Sequence, residues 1–178
     1  MNILFVCTGN TCRSAMAEAM LKKMLVEKNL PNLQVKSCGV GASAQFLVPE
    51  IVKKLMLEEN IDISKHKAQA LAQEAVEDTD LILVMENRHR EEIIKKFPQA
   101  KDKIFLLKEY VEKGQIQEEA KSPAPLQRYG VNSEQRAKDL GIYDPIGQSP
   151  EVYRFCKEEI KKCLIKLITQ ITEGRLHR

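Results

Sequence analysis

Two runs of the chain carry no polar alternation. Ile3-Leu4-Phe5-Val6 and Leu81-Ile82-Leu83-Val84-Met85 are short and uniformly apolar. A strand with one face in water alternates apolar and polar residues, so such runs suit strands covered on both faces, as in a parallel sheet. Parallel strands need long crossover connections, usually helical. The intervening sequence supplies them. Met16, Ala17, Met20, Leu21, Met24 and Leu25 recur at helical spacing, with Glu18, Lys22 and Lys23 between them. Leu33 to Gly39 reads as a second strand. Pro49, well placed at a helix start, opens a segment with Ile51, Val52, Leu55 and Met56 on one face.

Further along, Leu71, Ala72, Ala75 and Val76 suggest a short helix, and Ile93, Ile94 and Phe97 mark a helix ended by Pro98. Ile104 to Leu107 reads as a fourth strand. The last element is a long helix with one stripe of Val152, Phe155, Cys156, Ile160, Cys163, Leu164, Leu167, Ile168 and Ile171. This alternation implies an α/β fold, a parallel sheet with helices on both faces and right-handed crossovers. From Val111 to Tyr143 the pattern dissolves into Lys, Glu, Gln, Ser, Pro and Gly. That stretch is expected to be a polar surface insertion, with a short helix near Glu134 to Leu140, within one domain spanning 1–178.

Composition narrows the function. The 28 basic and 25 acidic residues are interspersed, and aromatics are only 5% with no Trp, so neither a nucleic-acid surface nor a base-stacking platform is expected. No apolar run reaches the roughly 18 residues of a membrane span, and the N-terminus lacks the basic and apolar regions of a signal peptide. Five cysteines without paired C-x-x-C spacing fit a reduced, cytoplasmic protein whose thiols are available for chemistry. The three histidines, His66, His89 and His177, show no metal-ligand spacing, so neither metal nor cofactor is expected.

The turn-prone segment Cys7-Thr8-Gly9-Asn10-Thr11-Cys12-Arg13-Ser14 joins the first strand to the first helix. In open α/β sheets ligands bind beyond the carboxyl ends of the strands, at a switch of strand order, and this loop leaves the first strand at such a place. A tight loop lets consecutive N–H groups converge on an oxyanion, and the helix N-terminus adds further donors. Arg13 can offer two parallel hydrogen bonds to phosphate oxygens. A cysteine at the base of this positive bowl, Cys7, is favoured as a thiolate nucleophile beneath a bound phosphoryl group. Alone, a cysteine at a strand end is most often a small buried hydrophobe, and Cys-x5-Arg spacing is common by chance. The order strand, loop, helix gives the motif its weight. A Walker-type loop is excluded, because no Gly-Lys-Ser/Thr follows Gly9.

The string Val6 to Ser14 resembles the N-terminal signature of the low-molecular-weight protein tyrosine phosphatases. Met16-Ala17-Glu18, Ser37-Cys38-Gly39-Val40, Lys65-His66-Lys67-Ala68 and Asp144-Pro145 extend the resemblance over the chain outside Val111 to Tyr143. Ala15 stands where the family commonly has Pro. The resemblance implies a four-stranded sheet in the flavodoxin-like order 2-1-3-4. It implies Cys7 as nucleophile, Arg13 as phosphate clamp and Asp144 as general acid. Thr8, Gly9, Asn10, Thr11, Cys12 and Ser14 would line the substrate. Ser14 would donate to the Cys7 sulfur, and Asn10 would be held by His66. From residue type alone, His66 could equally be a surface histidine, Asp144 a turn residue before Pro145, and Ser14 a helix cap.

Thr11 and Ile146 stand where tyrosine-specific members commonly have a bulky aliphatic and an aromatic residue. Asp144-Pro145-Ile146-Gly147-Gln148-Ser149 resembles the D-P-F-G-x-S form of bacterial protein-arginine phosphatases, which share the loop. A β-branched hydroxyl residue can support a guanidinium pocket, and Asp144 could pair with the guanidinium and protonate the departing nitrogen. The expected substrates are therefore phosphorylated proteins, phosphoarginine first and phosphotyrosine second, handled by a monomer. Cys12, in the same loop as Cys7, is a candidate redox partner. Arsenate reductases share fold and loop but relay electrons through further cysteines. Cys38, Cys156 and Cys163 are better read as core, and the last two lie roughly 10 Å apart on an intact helix. A non-catalytic phosphate-binding module is disfavoured by Cys7, Arg13 and Asp144 occurring together.

Overall fold

The computed structural model describes residues 1–112 and 141–175. Strand β1 (Asn2–Cys7) leads to α1 (Arg13–Glu27), then β2 (Gln34–Gly39), α2 (Glu50–Glu58) and α3 (Gln73–Glu77). β3 (Leu81–Val84) is followed by α4 (Asn87–Lys96), a 3-10 turn (Pro98–Lys103), β4 (Ile104–Leu106) and α5 (Leu107–Glu112). The closing helix, α6, is Pro150–Thr172. The four strands pair in parallel in the order β2-β1-β3-β4. This is the expected architecture, including the strand order.

The two uniformly apolar runs form the centre of the sheet. Ile3, Phe5, Leu81, Leu83 and Met85 face a core shared with α1, α2, α5 and α6. Leu4, Val6, Ile82 and Val84 face the opposite core, with Val76 of α3, Ile93 of α4 and Ala100 of the 3-10 turn. Phe5, Val6, Ile82, Leu83 and Val84 are all 0% exposed, which is why no polar residue interrupts the runs. Burying each such side chain contributes about 1.5–3 kcal/mol. The long helix is tied to the end of α2 by charge as well as by its apolar stripe: Lys157, 3% exposed, donates to Glu59 at 2.9 Å, and Arg154 pairs with Glu58.

Three of the boundary differences from the sequence reading bear on the core and the site. Leu107 opens α5 instead of ending β4, and Tyr110 and Val111 are buried. The polar stretch therefore does not begin at Val111, because two apolar side chains there have a core to fill. At its other end Ile142 is 0% exposed and its N–H donates to the Met85 carbonyl at 2.7 Å. The third concerns Leu71 and Ala72, which precede the short helix. Leu71 N–H instead bonds the Gly39 carbonyl at 3.0 Å. The expected helix at Glu134 to Leu140 lies outside the described residues, as does His177.

Parallel pairing brings the carboxyl ends of β1, β2 and β3 together. Cys7 is opposite Gly39, and the Met85 N–H donates to the Val6 carbonyl at 3.1 Å. Beyond the strands the ladder continues as Val40 N–H to Cys7 O and Gly41 N–H to Thr8 O, both 3.0 Å. Gly39 makes this approach possible: a Cβ there would lie 2.4 Å from the Thr8 carbonyl oxygen and 2.9 Å from the Asn10 nitrogen. Gly39→Ala should therefore displace the Cys7–Asn10 backbone, cost about 1–3 kcal/mol by overpacking and lower kcat. Denaturant unfolding and steady-state kinetics check this; unchanged values for both would mean that the loop is not braced by β2.

Candidate active site

Cys7 is the last residue of β1 and only 3% exposed. The connection to α1 is five residues, and α1 begins at Arg13. Arg13 and Ser14 thus sit on the first helical turn. Cys12 occupies the cap position but makes no side-chain cap bond, so the first-turn donors are not satisfied by a capping oxygen there. Ser14 does not cap the helix either. Its Oγ lies 3.0 Å from Cys7 Sγ and 3.3 Å from the Cys38 carbonyl oxygen.

The loop turns sharply at Asn10, which adopts φ +54°, a left-handed conformation that Asn tolerates better than most residues. Asn10 is 0% exposed and fully engaged. Its Nδ2 donates to Ser14 Oγ at 2.9 Å and Ser37 Oγ at 2.8 Å, and its Oδ1 accepts from Gln69 N–H at 2.9 Å. His66 Nε2 donates to the Asn10 carbonyl at 2.8 Å, so His66 carries its proton on that nitrogen. Ser37 Oγ–H donates to Glu18 Oε2 at 2.5 Å. The chain of bonds runs from the half-buried Glu18 carboxylate through Ser37, Asn10 and Ser14 to the sulfur of Cys7.

Among the described residues Arg13 is the largest fully buried side chain, 1% exposed. Its Nη1 donates to Glu86 and, at 3.0 Å, to the Ile142 carbonyl; its Nη2 donates to Asp144 Oδ2 at 2.5 Å. Burial works against the charge, but Cys7, Asp144 and Glu86 outweigh it and hold the guanidinium protonated. Burial alone would push the Glu86 carboxyl up; hydrogen bonds from Arg88 and Arg13 outweigh it and hold the group below the usual carboxylate range. Two segments far apart in sequence thus meet Arg13, one leaving β3 and one preceding α6. Asp144 is also shaped locally, its Oδ1 accepting from Ile146 N–H at 3.3 Å.

Three residues that the sequence reading did not assign to the site belong beside it: Glu86, Arg88 and His89. Glu86 caps α4 in a capping box with His89, and Glu86 N–H donates to His89 Nδ1 at 3.1 Å. His89 Nε2–H therefore donates to Thr8 Oγ1, 3.0 Å away. Arg88 donates from Nε to Glu86 Oε2 at 2.8 Å and from Nη2 to Thr8 Oγ1 at 3.2 Å. The signal in the sequence was a run of polar residues, Glu86-Asn87-Arg88-His89, directly after an apolar strand. In a parallel sheet that position faces the same edge as the Cys7 loop.

Of the remaining expected residues, Thr11 is 6% exposed, inside the loop rather than on an open rim. Its Oγ1 lies 3.6 Å from where a Gly9 Cβ would stand, and the ring of Phe46 lies 3.7 Å from the same point. Phe46 and Ile146 are 47% and 53% exposed, apolar surface beside the loop and beside Asp144. Cys12 is 2% exposed; burial, then the Cys156 and Cys7 thiols, push its own thiol up. Burial pushes Cys38 and Cys163 up to about 12 and Cys156 up as well, as expected of core thiols. Among the described residues no group of three or more His, Cys, Asp or Glu is placed to hold a metal ion.

The family model for low molecular weight phosphotyrosine protein phosphatases matches residues 2–131. A protein-arginine-phosphatase of Bacillus subtilis (strain 168) is 33% identical over 175 residues, 98% of this chain and 99% of the relative. One of Geobacillus stearothermophilus is 34% identical over 169 residues, 95% of each. Among solved structures, a YwlE arginine phosphatase mutant with a phosphorylated active-site serine superposes with a TM-score of 0.79 at 32% identity, covering 98% of both chains.

His89 gives the site a measurable acid sensitivity. Burial first, then the nearby Arg13 charge, push its pKa down to about 4 from the ordinary value near 6.5. Between those values the unfolded chain binds the proton and the folded chain does not, so protonation favours unfolding. The stability is fully present above about pH 6.5 and is lost as pH falls towards about 4. His89→Gln should flatten that part of the stability–pH curve relative to wild type. Parallel curves for the two proteins would contradict a neutral, buried His89.

Proposed function

The chain belongs to the low molecular weight phosphotyrosine protein phosphatase family and is a cysteine-based protein phosphatase, and we propose that its substrates are proteins phosphorylated on arginine. The observation that carries the arginine assignment is the near full-length similarity to two protein-arginine-phosphatases. Two local features support it. Asp144 pairs with the Arg13 guanidinium at 2.5 Å, a place that a substrate guanidinium could take over once phosphate holds Arg13. Thr11 puts a small hydroxyl side chain in the loop where a larger aliphatic one would suit a ring.

In the proposed cycle the Cys7 sulfur attacks phosphorus and the P–N bond breaks. Asp144, displaced from Arg13 by the phosphoryl group and protonated in the substrate complex, gives that proton to the departing nitrogen. Arg13 Nη1 is held by Glu86 and the Ile142 carbonyl and Nη2 by Asp144; two phosphoryl oxygens bind along the Nε–Nη2 edge and displace Asp144 from Nη2. Loop N–H groups and the α1 N-terminus balance the remaining charge. Ser14 Oγ–H, held by Asn10, steadies negative charge on sulfur. Asp144, now a carboxylate, activates a water that releases phosphate from the phosphocysteine. Residues 1–178 form one phosphatase domain carrying an insertion, acting as a monomer in the reducing cytoplasm, where Cys7 keeps its thiol. Ile146 and Phe46 would flank the substrate.

A phosphotyrosine reading is favoured by one observation, the exposed ring of Phe46 against Gly9, which could stack on a phenyl group. Rates on phosphoarginine, phosphotyrosine and phosphoserine peptides decide. The arginine reading expects the highest kcat/KM on phosphoarginine, and a shift of the ratio towards phosphotyrosine in Thr11→Ile. A wild type faster on phosphotyrosine would overturn it, and an unmoved ratio in the variant would put selectivity elsewhere.

Asp144→Asn keeps shape but loses the acidic proton. Its kcat should fall by about 10²–10⁴ on phosphopeptides and much less on para-nitrophenyl phosphate, whose leaving group needs little protonation. Equal losses on both would make Asp144 a structural turn residue.

A further inference from the structure

The ion pairs at Arg13 close into a ring through a residue outside the proposed chemistry. Glu86 Oε1 accepts from Arg13 Nη1 and also from Arg88 Nη2, the latter at 3.0 Å. Asp144 Oδ2 accepts from Arg13 Nη2 at 2.5 Å and lies 3.6 Å from the same Arg88 Nη2. Two guanidinium groups and two carboxylates alternate, each carboxylate sharing one oxygen between both cations. Arg13 is 1% exposed and Arg88 57%. The ring therefore has a buried cation and an open one.

This matters because a phosphoryl group and the two carboxylates want the same partner. Without Arg88, Glu86 and Asp144 would leave the buried end of the site with one net negative charge, opposing an incoming dianion. With Arg88 the four groups sum to zero. When phosphoryl oxygens take Arg13, Asp144 must give up its bond there, and Arg88 is the cation already beside the same oxygen. We propose that Arg88 is a positioning residue: it draws Glu86 and Asp144 off Arg13 as phosphate binds, and keeps Asp144 at the mouth of the site where the leaving group departs. An ordinary exposed ion pair contributes little. What sets this one apart is that its acceptor oxygens are those of the phosphate clamp, and that the same Nη2 also reaches Thr8, the residue after the nucleophile.

The test uses the full chain and inorganic phosphate as competitive inhibitor, so it does not depend on whether arginine or tyrosine is the physiological substrate residue. Phosphate Ki, and kcat and KM on para-nitrophenyl phosphate, are measured for wild type, Arg88→Gln, Arg88→Lys and Arg88→Gln with Glu86→Gln. Thermal unfolding verifies that each is folded. Arg88→Gln should weaken phosphate binding about tenfold, equivalent to about 1.4 kcal/mol, with a larger effect on KM than on kcat. Arg88→Lys should recover part of the loss, because a cation returns without the planar fork. Adding Glu86→Gln should recover most of it, because the surplus carboxylate is gone. A phosphate Ki in Arg88→Gln within twofold of wild type would overturn the proposal. So would a folded double variant that binds phosphate no better than Arg88→Gln.

Discussion

The site is organised around one buried cation. Arg13 is held in the first turn of α1 almost out of water, and a guanidinium in that position must have counter-charges and hydrogen-bond acceptors or the fold cannot keep it. The counter-charges come from far along the chain. Glu86 arrives because β3 lies beside β1 in the sheet and the chain leaves both strands at the same edge. Asp144 arrives because Ile142 is fixed by its bond to Met85 and its own carbonyl accepts from Arg13. The strand order and the ion pairs thus depend on each other: a sheet with β1 and β3 apart would leave Arg13 unpaired.

The direct side-chain partner of Cys7, the proposed nucleophile, is uncharged by contrast. The Asn10 amide satisfies two hydroxyls and one backbone N–H, and those hydroxyls carry the order outward to Cys7 on one side and Glu18 on the other. The rigid loop follows from one left-handed residue whose side chain is fully bonded. A neutral His89 completes the frame by holding Thr8. In the proposed mechanism, fixed dipoles near the sulfur and exchangeable ion pairs near the leaving group suit a two-step phosphoryl transfer, where sulfur keeps one position and the acid changes partners.

Much of this was legible from residues alone. The two uninterrupted apolar runs specify strands buried on both faces, and the order strand, loop, helix around Cys7 and Arg13 makes an anion site the expectation. The resemblance added Asp144, His66 and the roles of Asn10 and Ser14, and the geometry brings all four to the loop. Glu86, Arg88 and His89 were not found, because polar residues after a strand read as an ordinary helix start; only pairing of β3 with β1 turns them towards Cys7. Leu107, Val111 and Ile142 were assigned to the wrong element for a related reason. Isolated apolar residues at the edge of a polar stretch give no periodicity, and their burial depends on contacts made across the sheet.

Covalent phosphoryl transfer through Cys7 is the claim on which the account rests, and trapping the intermediate tests it most directly. The full chain would be mixed with a phosphoarginine peptide, quenched in acid during the first turnover and digested for mass spectrometry. The account predicts a phosphoryl adduct on the Cys7 sulfur, rising and decaying with the burst of product. Turnover with no adduct at Cys7, or an adduct on another residue that decays at the catalytic rate, would contradict it.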